Sequence, residues 1–190
     1  MTSLLVAALL AIPPSPRSRT PRPGASQPQQ EQLSPEEVRQ RVRDYLGAID
    51  TPITAEQWRA LGPQAAGELE AIATDPKAFP SRRAKALDGL TEAAPDRAAR
   101  LVGPMARDDK QPTAVRVAAM QGAGRVLAPD AAERELKPVL QSARSSGLRR
   151  AAADVLSRNK AGCAAVRQQA SRERAEHRAA WKDVLDRCAE

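Results

Sequence analysis

Aromatic side chains are almost missing from this chain: Tyr45, Trp58, Phe79 and Trp181 make up 2% of 190 residues. A core must therefore come from Ala, Leu and Val, which suits closely packed helices because alanine is a strong helix former and lets helices approach. No stretch alternates apolar and polar residues with β-branched enrichment, so strands are not expected. Histidine occurs once, at His177. A nucleophile relying on a histidine base would have to use it. Its neighbours Glu176 and Arg178 place it on the polar side of a predicted helix, where a solvated imidazole is expected. With two cysteines and one histidine as soft ligands, a four-ligand zinc site is not expected. Gly-rich phosphate loops, Gly-x-Ser-x-Gly elbows and His-Glu-x-x-His pairs do not occur. Nothing here points to catalysis or to a bound cofactor.

Long apolar runs are also lacking. Leu4 to Ile12 holds nine apolar residues, too few to span a bilayer, which needs about 20. That length matches the hydrophobic part of a secretory signal. No basic residue precedes the run, and the small residues Gly24-Ala25-Ser26 lie well beyond it. Residues 1–12 are read as an export segment, with a plain disordered start as the alternative. Residues 13–33, rich in Pro, Arg, Ser and Gln, have nothing to bury and read as a linker. Residues 34–190 are read as the folded body. Export would place it in the periplasm or outside the cell, with the cytoplasm as the alternative, and no transmembrane helix would remain in the mature chain.

The net charge of +7 is unevenly spread. Ser34 to Leu140 carries 16 basic and 16 acidic residues; Gln141 to Glu190 carries 11 and 6. A neutral central body argues against a nucleic-acid track along it. In the C-terminal part, Glu173 and Glu176 interrupt the basic residues, so that face reads partly as ordinary solvated surface. Apart from Trp181 on the apolar side, no aromatic there is placed to stack on a base.

What is present is helix, punctuated and repeated. Ser34-Pro35-Glu36-Glu37 has a cap, a proline for the first helical position and a glutamate completing a capping box. Val38, Val42, Tyr45, Leu46 and Ile49 follow on one face. Thr54-Ala55-Glu56-Gln57 is a second capping box, ended by Gly62-Pro63, and a helix bearing Ala66, Leu69 and Ile72 runs to Asp75. From there the chain repeats at a period of 33. Arg83, Arg116 and Arg149 fall in register, as do Ala86, Ala119 and Ala152. So do Asp75 and Asp108, Leu87 and Met120, and Gly89 and Gly122. Such periods mark helical solenoids, in which each unit buries its neighbour's apolar face.

Arg83-Ala84-Lys85-Ala86-Leu87, Arg116-Val117-Ala118-Ala119-Met120 and Arg149-Arg150-Ala151-Ala152-Ala153 resemble the bacterial HEAT-like repeats of the bilin-lyase type. Val115-Arg116-Val117-Ala118-Ala119 is the nearest copy, and the likeness runs from Thr54 to about Ala170. The first helix pair lacks the arginine, and in the fourth Gln141 stands where an aspartate is due. Trp58-x-x-Leu61-Gly62 looks like the start of a tetratricopeptide repeat, but Pro63 follows where that helix must continue. The ankyrin signature Thr-Pro-Leu-His is missing.

The resemblance implies an all-α, right-handed α-solenoid of about four antiparallel helix pairs, with an N-terminal capping helix and a C-terminal hairpin. It also implies that the arginines pair with an aspartate or a loop carbonyl of a neighbouring repeat, Asp75 and Asp108 being the natural acidic partners. The alternative for the arginine row is a grip on a ligand's carboxylate or phosphate. Gly89 and Gly122, costly inside helices, mark places where a neighbouring helix comes close. In the last two helices, Cys163 shares a face with Val166 and Ala170, and Cys188 shares one with Trp181, Val184 and Leu185. A turn at 172–176 would bring the cysteines together, and in an exported protein that argues for a disulfide; the alternative is two buried thiols. The functional expectation is a non-catalytic, monomeric scaffold for a protein partner. A binder of anionic polymer or nucleic acid is the second reading.

Overall fold

A computed structural model of the chain describes residues 33–48 and 51–189. The export segment, the linker up to Gln32, and Ile49 lie outside the described residues. The body consists of helices α1 (Pro35–Gly47), α2 (Ala55–Leu61), α3 (Ala66–Thr74), α4 (Pro80–Ala93), α5 (Pro95–Arg107), α6 (Thr113–Val126), α7 (Pro129–Ser142), α8 (Ser146–Leu156), α9 (Lys160–Arg172), α10 (Ala175–Arg178) and α11 (Lys182–Arg187). Among the described residues there is no strand, and the fold is all-α. None of the described helices is long and apolar enough to cross a membrane.

Local chemistry sets the first boundaries. The Glu37 amide donates to Ser34 Oγ at 3.3 Å, and the Ser34 amide donates to Glu37 Oε2 at 2.7 Å. Thr54 and Gln57 repeat the exchange at 3.2 and 2.8 Å. Each box satisfies two amides that the first helical turn leaves without partners. Leu33, assigned to the linker from the sequence, packs against the core, so the body starts one residue earlier. Gly62 ends α2 at φ +61°, a conformation that disfavours any other residue there, and Pro63 begins a 3-10 turn.

Successive helices stack in two rows. In one, α2 packs on α4, α4 on α6, and α6 on α8; in the other, α5 packs on α7 and α7 on α9. Each hairpin buries its apolar side against the next, as a helical repeat requires. Leu87, Leu90, Val102, Met120, Leu136 and Leu140 are all fully buried. The in-register glycines sit where a neighbouring helix comes close. A Cβ at Gly89 would stand 3.0 Å from the Trp58 indole, and one at Gly122 would stand 3.0 Å from Val102 Cγ1. The missing side chain lets α4 pack directly against the indole of α2.

One expectation needs correction. The segment after the 172–176 turn is not a single helix. It is α10, a 3-10 turn at Ala179–Trp181, and then α11. The tighter turn advances fewer than 3.6 residues per revolution and so rotates α11 relative to α10. Trp181 and Val184 are buried, whereas Leu185 and Cys188 are only partly so.

Candidate functional site

The three arginines in register lie along the edge where each hairpin meets the next. Arg83 Nε donates to the Ala73 carbonyl at 3.0 Å, and Arg116 Nε donates to the Ala106 carbonyl at 3.0 Å. Both acceptors belong to the last turn of the preceding helix, where carbonyls lack helical partners and the helix dipole favours a cation. Arg149 meets the Ala143 carbonyl through Nη1 at 2.7 Å. Each guanidinium thus fastens a helix end to the helix that comes after it. The aspartates are not the partners. Asp75 accepts from the Lys77 amide at 2.8 Å and Asp108 from the Lys110 amide at 3.0 Å, so both shape their own turns. A side-chain hydrogen bond from Gln111, then the Lys110 amide, hold the Asp108 carboxyl below its usual range.

The outer edges of the guanidinium groups differ. Arg83 Nη2 donates to Gln111 Oε1 at 2.6 Å, and Gln111 Nε2 donates in turn to Asp108 Oδ2 at 2.9 Å. The loop of the following repeat therefore closes over Arg83. Arg149 Nη2 donates to Glu173 Oε2 at 2.7 Å, while its Nε donates to Oε1 of the same carboxylate. This two-toothed pairing is the strongest geometry available to arginine. Glu173 is only 2% exposed and also accepts from Gln169 Nε2 at 3.1 Å. Its reading as a solvated residue is overturned: the turn after α9 carries it inward.

The Arg149 side chain, more than any other cause, holds the Glu173 carboxyl below the ordinary glutamate range. A carboxyl whose pKa falls on folding stabilises the fold above its unfolded pKa and loses that contribution as pH drops through the folded value. Glu173→Gln is expected to lower stability by about 2 kcal/mol at pH 7. The gap to the wild type should begin to narrow as pH falls below the unperturbed glutamate pKa of about 4.3, and close once pH has passed the lowered folded value. Urea titrations at pH 7 and pH 3.5 check this; a difference independent of pH would contradict it.

Between these two copies, Arg116 is left open. It is 8% exposed, and its terminal nitrogens find no hydrogen-bond partner among the described residues, yet neither is sealed from solvent. They face a cavity of about 460 Å³ lined by Arg107, Asp109, Pro138, Val139, Arg144 and Leu148, among others. The cause lies in the next repeat. Loops 75–79 and 108–112 have five residues, whereas 143–145 has three. At the position 33 residues after Gln111 stands Arg144, so a donor replaces the acceptor. The register that revealed the ladder also carried this signal, through Gln141 and Arg144. Arg107 is occupied by Glu135 at 2.6 Å, and Asp109 is exposed on the rim.

Cys163 and Cys188 form a disulfide with 5.3 Å between Cα atoms. His177 is partly exposed, 3.7 Å from Glu176. No group of three or more metal-ligating side chains occurs among the described residues. No protein-family profile, curated protein or solved structure matches this chain.

Proposed function

We propose that the chain is a non-catalytic scaffold for a protein partner, a right-handed α-solenoid of the HEAT-like type, acting as a monomer in the cell envelope. The observation that carries this reading is the row of loop ends along the arginine ladder. It presents a continuous edge, and at one position in it the terminal nitrogens of a buried guanidinium have no acceptor among the described residues. Stacked helical repeats make extended surfaces of this kind. The disulfide agrees with an oxidising compartment. The second reading, an anionic polymer on the basic C-terminal surface, draws less support. Arg150 is paired with Asp183, Arg158 and Arg187 are paired with Asp154, and Arg167 donates to the Cys188 carbonyl. Those cations are already engaged.

Photo-crosslinking tests the proposal. A benzophenone side chain at Lys110, beside the ladder, should yield a discrete protein adduct in the native cell. The same group at Gln168, on an exposed position of α9, should not. Adducts of nucleic acid, or none at either position, would overturn the scaffold reading.

A further inference from the structure

We infer that the Arg116 cavity is a carboxylate-binding pocket, built to take one acidic side chain of a partner polypeptide; this deepens the scaffold reading and rests on it. The ladder itself defines what belongs there. Its two other guanidinium groups each have the outer edge met by an oxygen from the following repeat, an amide oxygen at Gln111 and a carboxylate at Glu173. Arg116 is anchored through Nε and buried as Arg83 is, but in its case the position in register with Gln111 is Arg144. Two arginines thus line a space where one acceptor is due.

Charge selects the ligand further. With Arg107 engaged by Glu135, the wall carries Arg116 and Arg144 against Asp109, and the nearby Asp108 carboxylate also feels Arg116, so the positive excess is at most one. One carboxylate balances that excess, whereas a phosphate dianion would exceed it. Planar geometry agrees, because a carboxylate meets the guanidinium fork along two parallel hydrogen bonds. Val139, Pro138 and Leu148 supply an apolar floor, so the residue next to the acidic one is expected to be apolar. A space of about 460 Å³ suits a short peptide stretch.

The test uses the full chain, nitrogen-15 labelled, titrated with the peptide acetyl-Gly-Leu-Glu-Leu-Gly-amide. A second peptide carries Gln in place of Glu, and inorganic phosphate and acetate serve as competitors. The amides of Ala143–Ser145 should shift saturably with the Glu peptide and at least ten-fold more weakly with the Gln peptide. Arg144→Gln restores the acceptor that closes the first copy. It should weaken Glu-peptide binding at least ten-fold while the melting temperature stays level or rises. Equal binding of both peptides, undiminished binding by Arg144→Gln, or displacement by phosphate at lower concentration than acetate would overturn the inference. Crosslinks at Lys110 with no peptide binding would remove the pocket and leave the scaffold. Peptide binding without any protein adduct would do the reverse.

Discussion

Met120→Asp is expected to destabilise the fold by about 3–5 kcal/mol, about a fifth or more of the stability of an ordinary domain. Met120 is fully buried in α6, which packs on α4, α5 and α8. An aspartate there has no partner supplied for it. It must ionise without solvent, take up a proton at neutral pH, or force the helices apart, and each route is costly. Met120→Leu, similar in volume, should cost under about 1.5 kcal/mol. Arg178→Ala provides the opposite control, because Arg178 is exposed and gives one hydrogen bond, from Nε to the Glu173 carbonyl at 3.0 Å. About 1 kcal/mol or less is expected for it. Urea denaturation of the three variants decides the matter. Similar losses for Met120→Asp and Arg178→Ala would mean that the buried face of α6 and the exposed face of α10 have been misassigned.

Reduction of the Cys163–Cys188 bond is expected to cost about 3.5 kcal/mol. The bond closes a loop across a separation of 25 residues, and the chain-entropy relation gives a value of that size. The loss should be local. Residues 173–189 hold to the body through Trp181, Val184, the Arg149–Glu173 pair, the Arg150–Asp183 pair and the disulfide. A repeat body can lose a terminal unit while its centre stays folded. Cys188→Ser should therefore raise amide exchange across α10 and α11 first and leave α4 to α6 protected. Unchanged exchange in α11 after reduction would show that packing alone retains this segment.

Much of this architecture was legible without coordinates. Ser34 and Thr54 announce their helices because capping uses short side chains with a recognisable partner three residues on. The register of Arg83, Arg116 and Arg149, and that of Gly89 and Gly122, is preserved because each position meets the same surroundings in every repeat. The cysteines could be paired because a turn lies midway between them. What stayed hidden has separate causes. The acceptors of Arg83 and Arg116 are backbone carbonyls, and a carbonyl has no residue identity to read, so the aspartates nearby drew the assignment instead. Glu173 looked like surface because helical periodicity was carried past α9, where a turn redirects it. Trp181 ends a 3-10 turn that splits the expected last helix, while Trp181, Val184, Leu185 and Cys188 keep their common face against the core. Pro104 and Pro138, inside α5 and α7, are exposed and interrupt no buried contact; helical patterning alone passes over them.

The ladder is most directly tested by the exchange rates of the arginine Nε–H protons, read in nitrogen-15 correlation spectra at pH 7 with assignment by single Arg→Lys variants. The account predicts that the Nε–H signals of Arg83, Arg116 and Arg149 persist, since each is buried or bonded to a fixed acceptor, while that of exposed Arg172 exchanges away. Exchange at Arg83 and Arg116 as fast as at Arg172 would mean that these side chains do not clasp the preceding helix ends, and the repeat as described would fall.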